Sequence, residues 1–170
     1  MNYAIGDYLV YGTAGICSYD GTVKRSFDGI EEAEYCRLIP LASTGSVYYV
    51  PVSDIDNRVR ALLSKDEVLA LIDAIPETDA EWCSDKGERR NLFDKVIKSG
   101  DSRRIIGVLK ALYERREERK SCGKKLSVPD EKAMKAAESL VLKEFSVVLG
   151  IDIDDLTEFI DKRLADKDIA

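Results

Sequence analysis

The sequence predicts an α+β protein in two parts. Residues 1–60 read as a small bent β-sheet or barrel, and residues 61–170 as an all-α domain of about five helices. In the first third, short runs rich in Val, Ile and Tyr are punctuated by Gly, Asp and Ser, the pattern of strands and tight turns. Beyond Asp54 the apolar residues recur every three or four positions, the period of a helix face. Start and stop residues then cut that stretch into separate helices.

Five strands are expected. Residues 8–11 follow the turn pair Gly6-Asp7, and residues 16–19 follow the break between Gly12 and Gly15. Residues 23–27 come after Asp20-Gly21, a dipeptide favoured in hairpins. Residues 33–41 are a fourth strand, and residues 47–52, after Ser43-Thr44-Gly45-Ser46, a fifth. Short strands at such spacing suit a small barrel or strongly bent sheet.

Everything after Asp54 reads as helical. Ser64-Lys65-Asp66-Glu67 is a capping-box pattern, and its helix runs through Val68, Leu71, Ile72 and Ile75 to a stop before Pro76. Thr78 or Asp79 is expected to cap the next helix, which carries Trp82, Leu92, Phe93, Val96 and Ile97 and ends at Gly100. Asp101 caps a third, with Ile105, Leu109 and Leu112 on its apolar face. Ser127-Val128-Pro129-Asp130 opens a fourth, striped by Ala137, Val141 and Phe145 and closed by Gly150. A short last helix is expected over about residues 153–165. The cluster Asp152-Ile153-Asp154-Asp155 lacks the glycine and final glutamate of a calcium loop and reads as helix capping.

Composition narrows the function. A chain of 170 residues with 45% hydrophobic content makes one domain or two small ones. No apolar run approaches the roughly 20 residues of a membrane span, and the start shows no signal-peptide pattern, so a cytoplasmic, membrane-free protein is expected. The four cysteines, Cys17, Cys36, Cys83 and Cys122, form no C-x-x-C pair, and there is no histidine to complete a zinc site. They read as reduced structural thiols. The absence of histidine also removes the commonest general base. Neither a P-loop nor a dinucleotide glycine motif is present. No enzyme, cofactor or small-molecule substrate is expected.

Charge supplies the positive signal. The net charge is −6, yet residues 82–125 hold 14 Lys and Arg against 7 Asp and Glu, while the flanks carry −8 and −5. A basic segment in an acidic chain suits a polyanion. The only tryptophan, Trp82, stands at its leading edge. Lys86, Arg89 and Arg90 follow it at 4, 7 and 8 residues, spacings that share one face of a helix, so all three are expected beside the indole. Trp82 itself suits either a core or an exposed wedge, although its neighbours Glu81, Ser84 and Asp85 are polar. Arg115, Arg116, Arg119 and Lys120, interleaved with Glu114, Glu117 and Glu118, read as a solvated face.

The order of these pieces resembles the CarD/CdnL family of bacterial transcription regulators. The resemblance rests on Gly6-Asp7-Tyr8-Leu9-Val10-Tyr11-Gly12 with Gly15, then Trp82, Lys98-Ser99-Gly100-Asp101, Glu118-Arg119-Lys120, Gly123-Lys124-Lys125-Leu126-Ser127 and Ala136-Ala137-Glu138. It implies a Tudor-like first domain that binds the RNA polymerase β subunit, partly by strand pairing. Residues Val47, Tyr48, Tyr49 and Val50, with Lys24 and Arg25 on the preceding hairpin, match that surface. It also implies a helical domain that holds promoter DNA at the upstream edge of the bubble, without base specificity, and stabilises the open complex. Trp82 matches the family's minor-groove wedge, and Lys86, Arg89, Arg90, Lys124, Lys125 and Lys132 are the expected phosphate contacts. The alternative is a protein–protein adaptor that uses Trp82 as a docking hot spot and binds no DNA.

Overall fold

The computed structural model describes residues 3–27, 29, 31–43 and 45–169, so Thr44 of the expected 43–46 turn lies outside it. The chain divides into two compact units, Met1–Leu62 and Leu63–Ala170.

The first unit is a five-stranded antiparallel sheet of β1 (Tyr8–Tyr11), β2 (Gly15–Arg25), β3 (Ala33–Pro40), β4 (Tyr48–Pro51) and β5 (Val59–Ala61), in the order β4-β3-β2-β1-β5. The strand count matches expectation, but two identities differ. Residues 16–19 and 23–27 were expected as two strands around a hairpin turn, and instead β2 runs unbroken to Arg25 with both its halves paired to β3. The register slips between Tyr19 and Thr22, and Gly21 sits there at φ +83°, so Asp20-Gly21 forms a β-bulge. The true last strand, Val59–Ala61, lies in a stretch expected to be helical. After the single turn α1 (Ile55–Arg58), Val59, Arg60 and Ala61 pair with Tyr11, Val10 and Leu9, and Val59 is buried. Leu9, Cys17, Tyr19, Cys36, Leu38, Val50, Ile55 and Val59 form this unit's core.

Among the described residues the second unit holds five helices: α2 (Lys65–Asp73), α3 (Lys86–Ser99), α4 (Ser102–Ser121), α5 (Val128–Leu149) and α6 (Ile153–Ile169). Most of their ends are set by local side-chain chemistry. The capping box is complete: Ser64 Oγ accepts from the Glu67 amide at 3.2 Å, and Glu67 Oε2 accepts from the Ser64 amide at 2.7 Å. Gly100 and Gly150 close α3 and α5 in the left-handed conformation, at φ 67° and 68°. Asp101 caps α4 and Ser127 caps α5. The start of α3 differs from expectation. Asp85, not Thr78 or Asp79, is the cap, accepting from the Gly87 and Glu88 amides at 2.9 Å, so residues 74–85 contain no helix and Trp82 precedes α3. Phe93, Val96, Ile105, Val108, Leu112, Ala137, Val141, Phe145 and Leu156 lead the core, and Trp82 packs on its margin.

Candidate functional site

The non-helical segment 74–85 is a strap drawn along α4. Lys110 Nζ donates to the carbonyls of Pro76 and Thr78, at 2.7 and 2.8 Å. One turn back, the Gly107 carbonyl accepts from the Glu81 amide at 3.1 Å. A Cβ on Gly107 would lie 2.8 Å from the Asp79 carbonyl oxygen, so this residue must be glycine for the strap to come so close. One turn further back, Arg104 grips the Glu81 carboxylate with two bonds, at 2.9 and 2.7 Å. That bond raises the Arg104 pKa above its ordinary value. Residues 104, 107 and 110 fall three apart and so share one helix face. Together they set where Trp82 emerges.

Trp82 is half-buried. Its ring centroid is 6.1 Å from that of Phe93, tilted by 58°. The Arg89 guanidinium stands 4.3 Å from the indole centroid, and that of Arg115 stands at 5.9 Å. Arg89 is itself only 7% exposed. Its Nε and Nη2 donate to the two Asp130 carboxylate oxygens, at 3.1 and 3.4 Å, and Nη1 donates to the carbonyls of Cys83 and Ser84, at 2.9 and 3.3 Å. Asp130 in turn accepts from Ser127 Oγ at 2.6 Å. Arg89 therefore joins the strap to the first turn of α5.

The expected nucleic-acid residues fall into two groups. Lys86 and Arg90 are exposed, four apart on α3; Lys124 and Lys125 are exposed in the turn before α5, and Lys132 is exposed near its start. None of these five side chains has a carboxylate partner among the described residues. The turn is fixed by Arg119, whose carbonyl accepts from the Lys124 amide at 2.8 Å and whose Nε donates to the Lys125 carbonyl at 2.5 Å. Beside it lies a groove of about 370 Å³ lined by the basic Arg116, Lys120, Lys124, Lys125 and Lys135, the acidic Glu131 and Glu138, and the apolar Leu126 and Met134. Arg89 must be corrected. It was expected on the phosphate-facing side with Arg90, but Arg89 is buried and bonded to Asp130, while Arg90, about 100° further round α3, is exposed. Trp82 likewise does not share a helix face with Lys86, because the helix begins at Lys86.

Sequence reasoning missed Arg104, Lys110, Asp130 and Gly107. Gly107 carried a signal: a lone glycine inside a helical pattern marks a close backbone approach. Arg115, expected as solvated, stands beside Trp82.

In the first unit, β4 is an edge strand that, among the described residues, pairs only with β3. Strand alternation splits the expected contacts between two faces. Tyr49, opposite Arg37, shares its face with Tyr35, Val23 and Arg25; Tyr48, Val50 and Lys24 belong to the other. On the first face Phe27 packs edge-on against Tyr35 at 4.9 Å and lies 5.4 Å from Tyr49, with the Arg25 guanidinium 4.8 Å from the Tyr49 ring. Val50 is 1% exposed, so its side chain belongs to the core and only its backbone edge is open to a partner. Tyr48 leans on Tyr11 at 5.4 Å, and Val47 precedes the strand, exposed.

Among the described residues no cluster of His, Cys, Asp and Glu is placed to hold a metal ion, and no helix is long and apolar enough to cross a membrane. Residues 3–63 match the CarD-like/TRCF RID domain, an RNA polymerase-interacting domain, and residues 68–161 match the CarD C-terminal domain. The chain belongs to the CarD-like family of RNA polymerase-interacting transcription factors, which are not enzymes. No curated protein matches it.

Proposed function

We propose that this chain binds the RNA polymerase β subunit through its first unit and promoter DNA at the upstream edge of the bubble through its second, prolonging the open complex. One observation carries the DNA half. A half-buried indole is presented by a strapped loop, and the two helices joined by Arg89 and Asp130 carry the exposed cations Lys86, Arg90 and Lys132, which have no carboxylate partner among the described residues. The exposed edge of Trp82 enters a partly unstacked base step, which costs a few kcal/mol in duplex and less where DNA is already opening. Lys86, Arg90, Lys124, Lys125 and Lys132 meet the phosphates and give affinity without sequence choice. On the polymerase side, the open edge of β4 accepts a strand of the β subunit, an interaction carried by backbone bonds. The Tyr49, Phe27 and Tyr35 face with Arg25 reads alternate side chains of that strand, while Lys24, Val47 and Tyr48 border it.

The test is the decay of open promoter complexes formed by the cognate polymerase. Wild-type protein lengthens their lifetime. Trp82→Ala and the double reversal Lys86→Glu with Arg90→Glu shorten it while polymerase binding persists. Unchanged lifetimes in both variants overturn the wedge and leave a protein–protein adaptor.

A further inference from the structure

We infer that Arg89 and Asp130 form a latch that positions Trp82, and that Arg89 is not itself a DNA contact. The role of this latch in the promoter complex rests on the function proposed above; its action on the indole does not.

The donor inventory of Arg89 comes first. A guanidinium has five N–H donors. Four hydrogen bonds, to the two Asp130 oxygens and the carbonyls of Cys83 and Ser84, already engage Nε, Nη1 and Nη2. At 7% exposure, little of this side chain reaches solvent. A phosphate would have to break this set to bind it.

The bonds are also placed where a positioning device needs them. Cys83 and Ser84 are the two residues directly after Trp82, so their carbonyls fix the backbone that carries the indole. The same guanidinium covers one indole face at 4.3 Å. Asp130, 41 residues away, orients the guanidinium plane, and Ser127 Oγ orients Asp130. Stability alone does not call for such a group, because a well-packed apolar residue often does as well as a buried ion pair. A wedge, in contrast, gains from being held in its working orientation before it meets DNA, since the ordering cost is not then charged against binding.

Lysine cannot substitute. It keeps the positive charge but lacks the planar fork that meets Asp130, two carbonyls and the ring together.

Trp82 is the only tryptophan in the chain, so its fluorescence reports this one side chain. The experiment compares acrylamide quenching in the free full-length protein for wild type, Arg89→Met, Arg89→Lys and Asp130→Asn, with far-UV circular dichroism to establish folding. Loss of the cation–π contact lowers the ratio of docked to undocked indole by about fivefold. Quenching therefore rises most in Arg89→Met, next in Arg89→Lys, and least in Asp130→Asn, whose amide keeps one acceptor. Wild-type quenching in folded Arg89→Met overturns the latch. Should that variant not fold, wild-type quenching in both Arg89→Lys and Asp130→Asn does the same.

Open-complex decay is then measured with the same proteins and with Trp82→Ala. Shortened lifetimes in the variants with a freed indole support the latch as part of the mechanism. A shortened lifetime in Trp82→Ala, with wild-type lifetimes in those variants, overturns that part. If Trp82→Ala itself decays like wild type, the wedge fails while the quenching result still decides the latch.

Discussion

Replacing Gly107 by alanine sets two effects against each other. In the middle of α4, alanine favours the helix by about 1 kcal/mol over glycine. At this site, however, the new Cβ would stand 2.8 Å from the Asp79 carbonyl oxygen and 3.4 Å from Glu81 Cγ. The nearer atom is backbone, so the strap must lift off the helix. Overpacking of this kind costs about 1–3 kcal/mol, and losing the Glu81 amide to Gly107 carbonyl bond adds about 1 kcal/mol. The expected net loss is about 1–3 kcal/mol. For a helical unit of this size that lowers the melting temperature by about 4 °C or more per kcal/mol. Thermal denaturation followed by circular dichroism reads the loss, and Trp82 emission reads the displaced strap. A variant that melts above wild type would show that helix propensity wins and that the strap is not held as described.

Four further outcomes are expected. Glu144, 2% exposed, accepts from the Leu63 amide at 3.1 Å and from Ser102 Oγ at 2.9 Å, so Glu144→Ala costs about 2–3 kcal/mol by denaturant midpoint, and Glu144→Gln costs less; equal midpoints for alanine and wild type would refute this. Burial, then the hydrogen bond to Glu138, pushes Tyr113 up to about 12 from the ordinary 10.0. Its folded value lies above its unfolded one, so its contribution is fully present below pH 10 and lost as pH rises towards 12; Tyr113→Phe removes that part of the alkaline slope, and an unaltered slope counts against it. Burial pushes the Cys17 thiol up to about 11 and Cys36 is raised as well, whereas Cys122 is exposed, so iodoacetamide labels Cys122 first and the two sheet cysteines only after unfolding; early labelling of Cys17, mapped by mass spectrometry, would contradict the first unit's core. The five phosphate contacts proposed give a plot of log affinity for DNA against log salt a slope of about −4.5, and Lys124→Glu with Lys125→Glu makes it shallower; a salt-independent affinity would exclude backbone contacts.

Where structure is made by neighbours in sequence, the sequence disclosed it. Ser64, Asp101, Ser127, Gly100 and Gly150 stand where expected because a cap needs only a side chain and the amides two or three residues away. Where structure is made by distant partners, it did not. Asp20-Gly21 has the chemistry of a hairpin turn, yet both halves of β2 pair with β3 and the same glycine serves a bulge. Val59–Ala61 is too short to show a pattern and is a strand because β1, about 50 residues earlier, offers an edge. Arg89 reads like Arg90 beside it, and only Asp130, 41 residues on, makes one buried and leaves the other exposed. Trp82 stood out as the only tryptophan, but its position on the margin of the core was not legible, since the strap depends on contacts with α4 at Arg104, Gly107 and Lys110.

The strap has a mechanical consequence. In the proposed wedge the side chain is a part under load, and force on the indole must pass into something stiff. Here it divides in two: Glu81 carries it through Arg104 into α4, and the Cys83 and Ser84 carbonyls carry it through Arg89 into α3 and on through Asp130 into α5. The α3–α4 corner adds no slack, because Gly100 and Asp101 are the only residues between the two helices and Asp101 caps the amides of Arg103 and Arg104. The two routes bear in parallel, but the second passes through Arg89 alone, so losing Arg104 leaves the strap tied to α3 and α5, whereas losing Arg89 parts it from both at once.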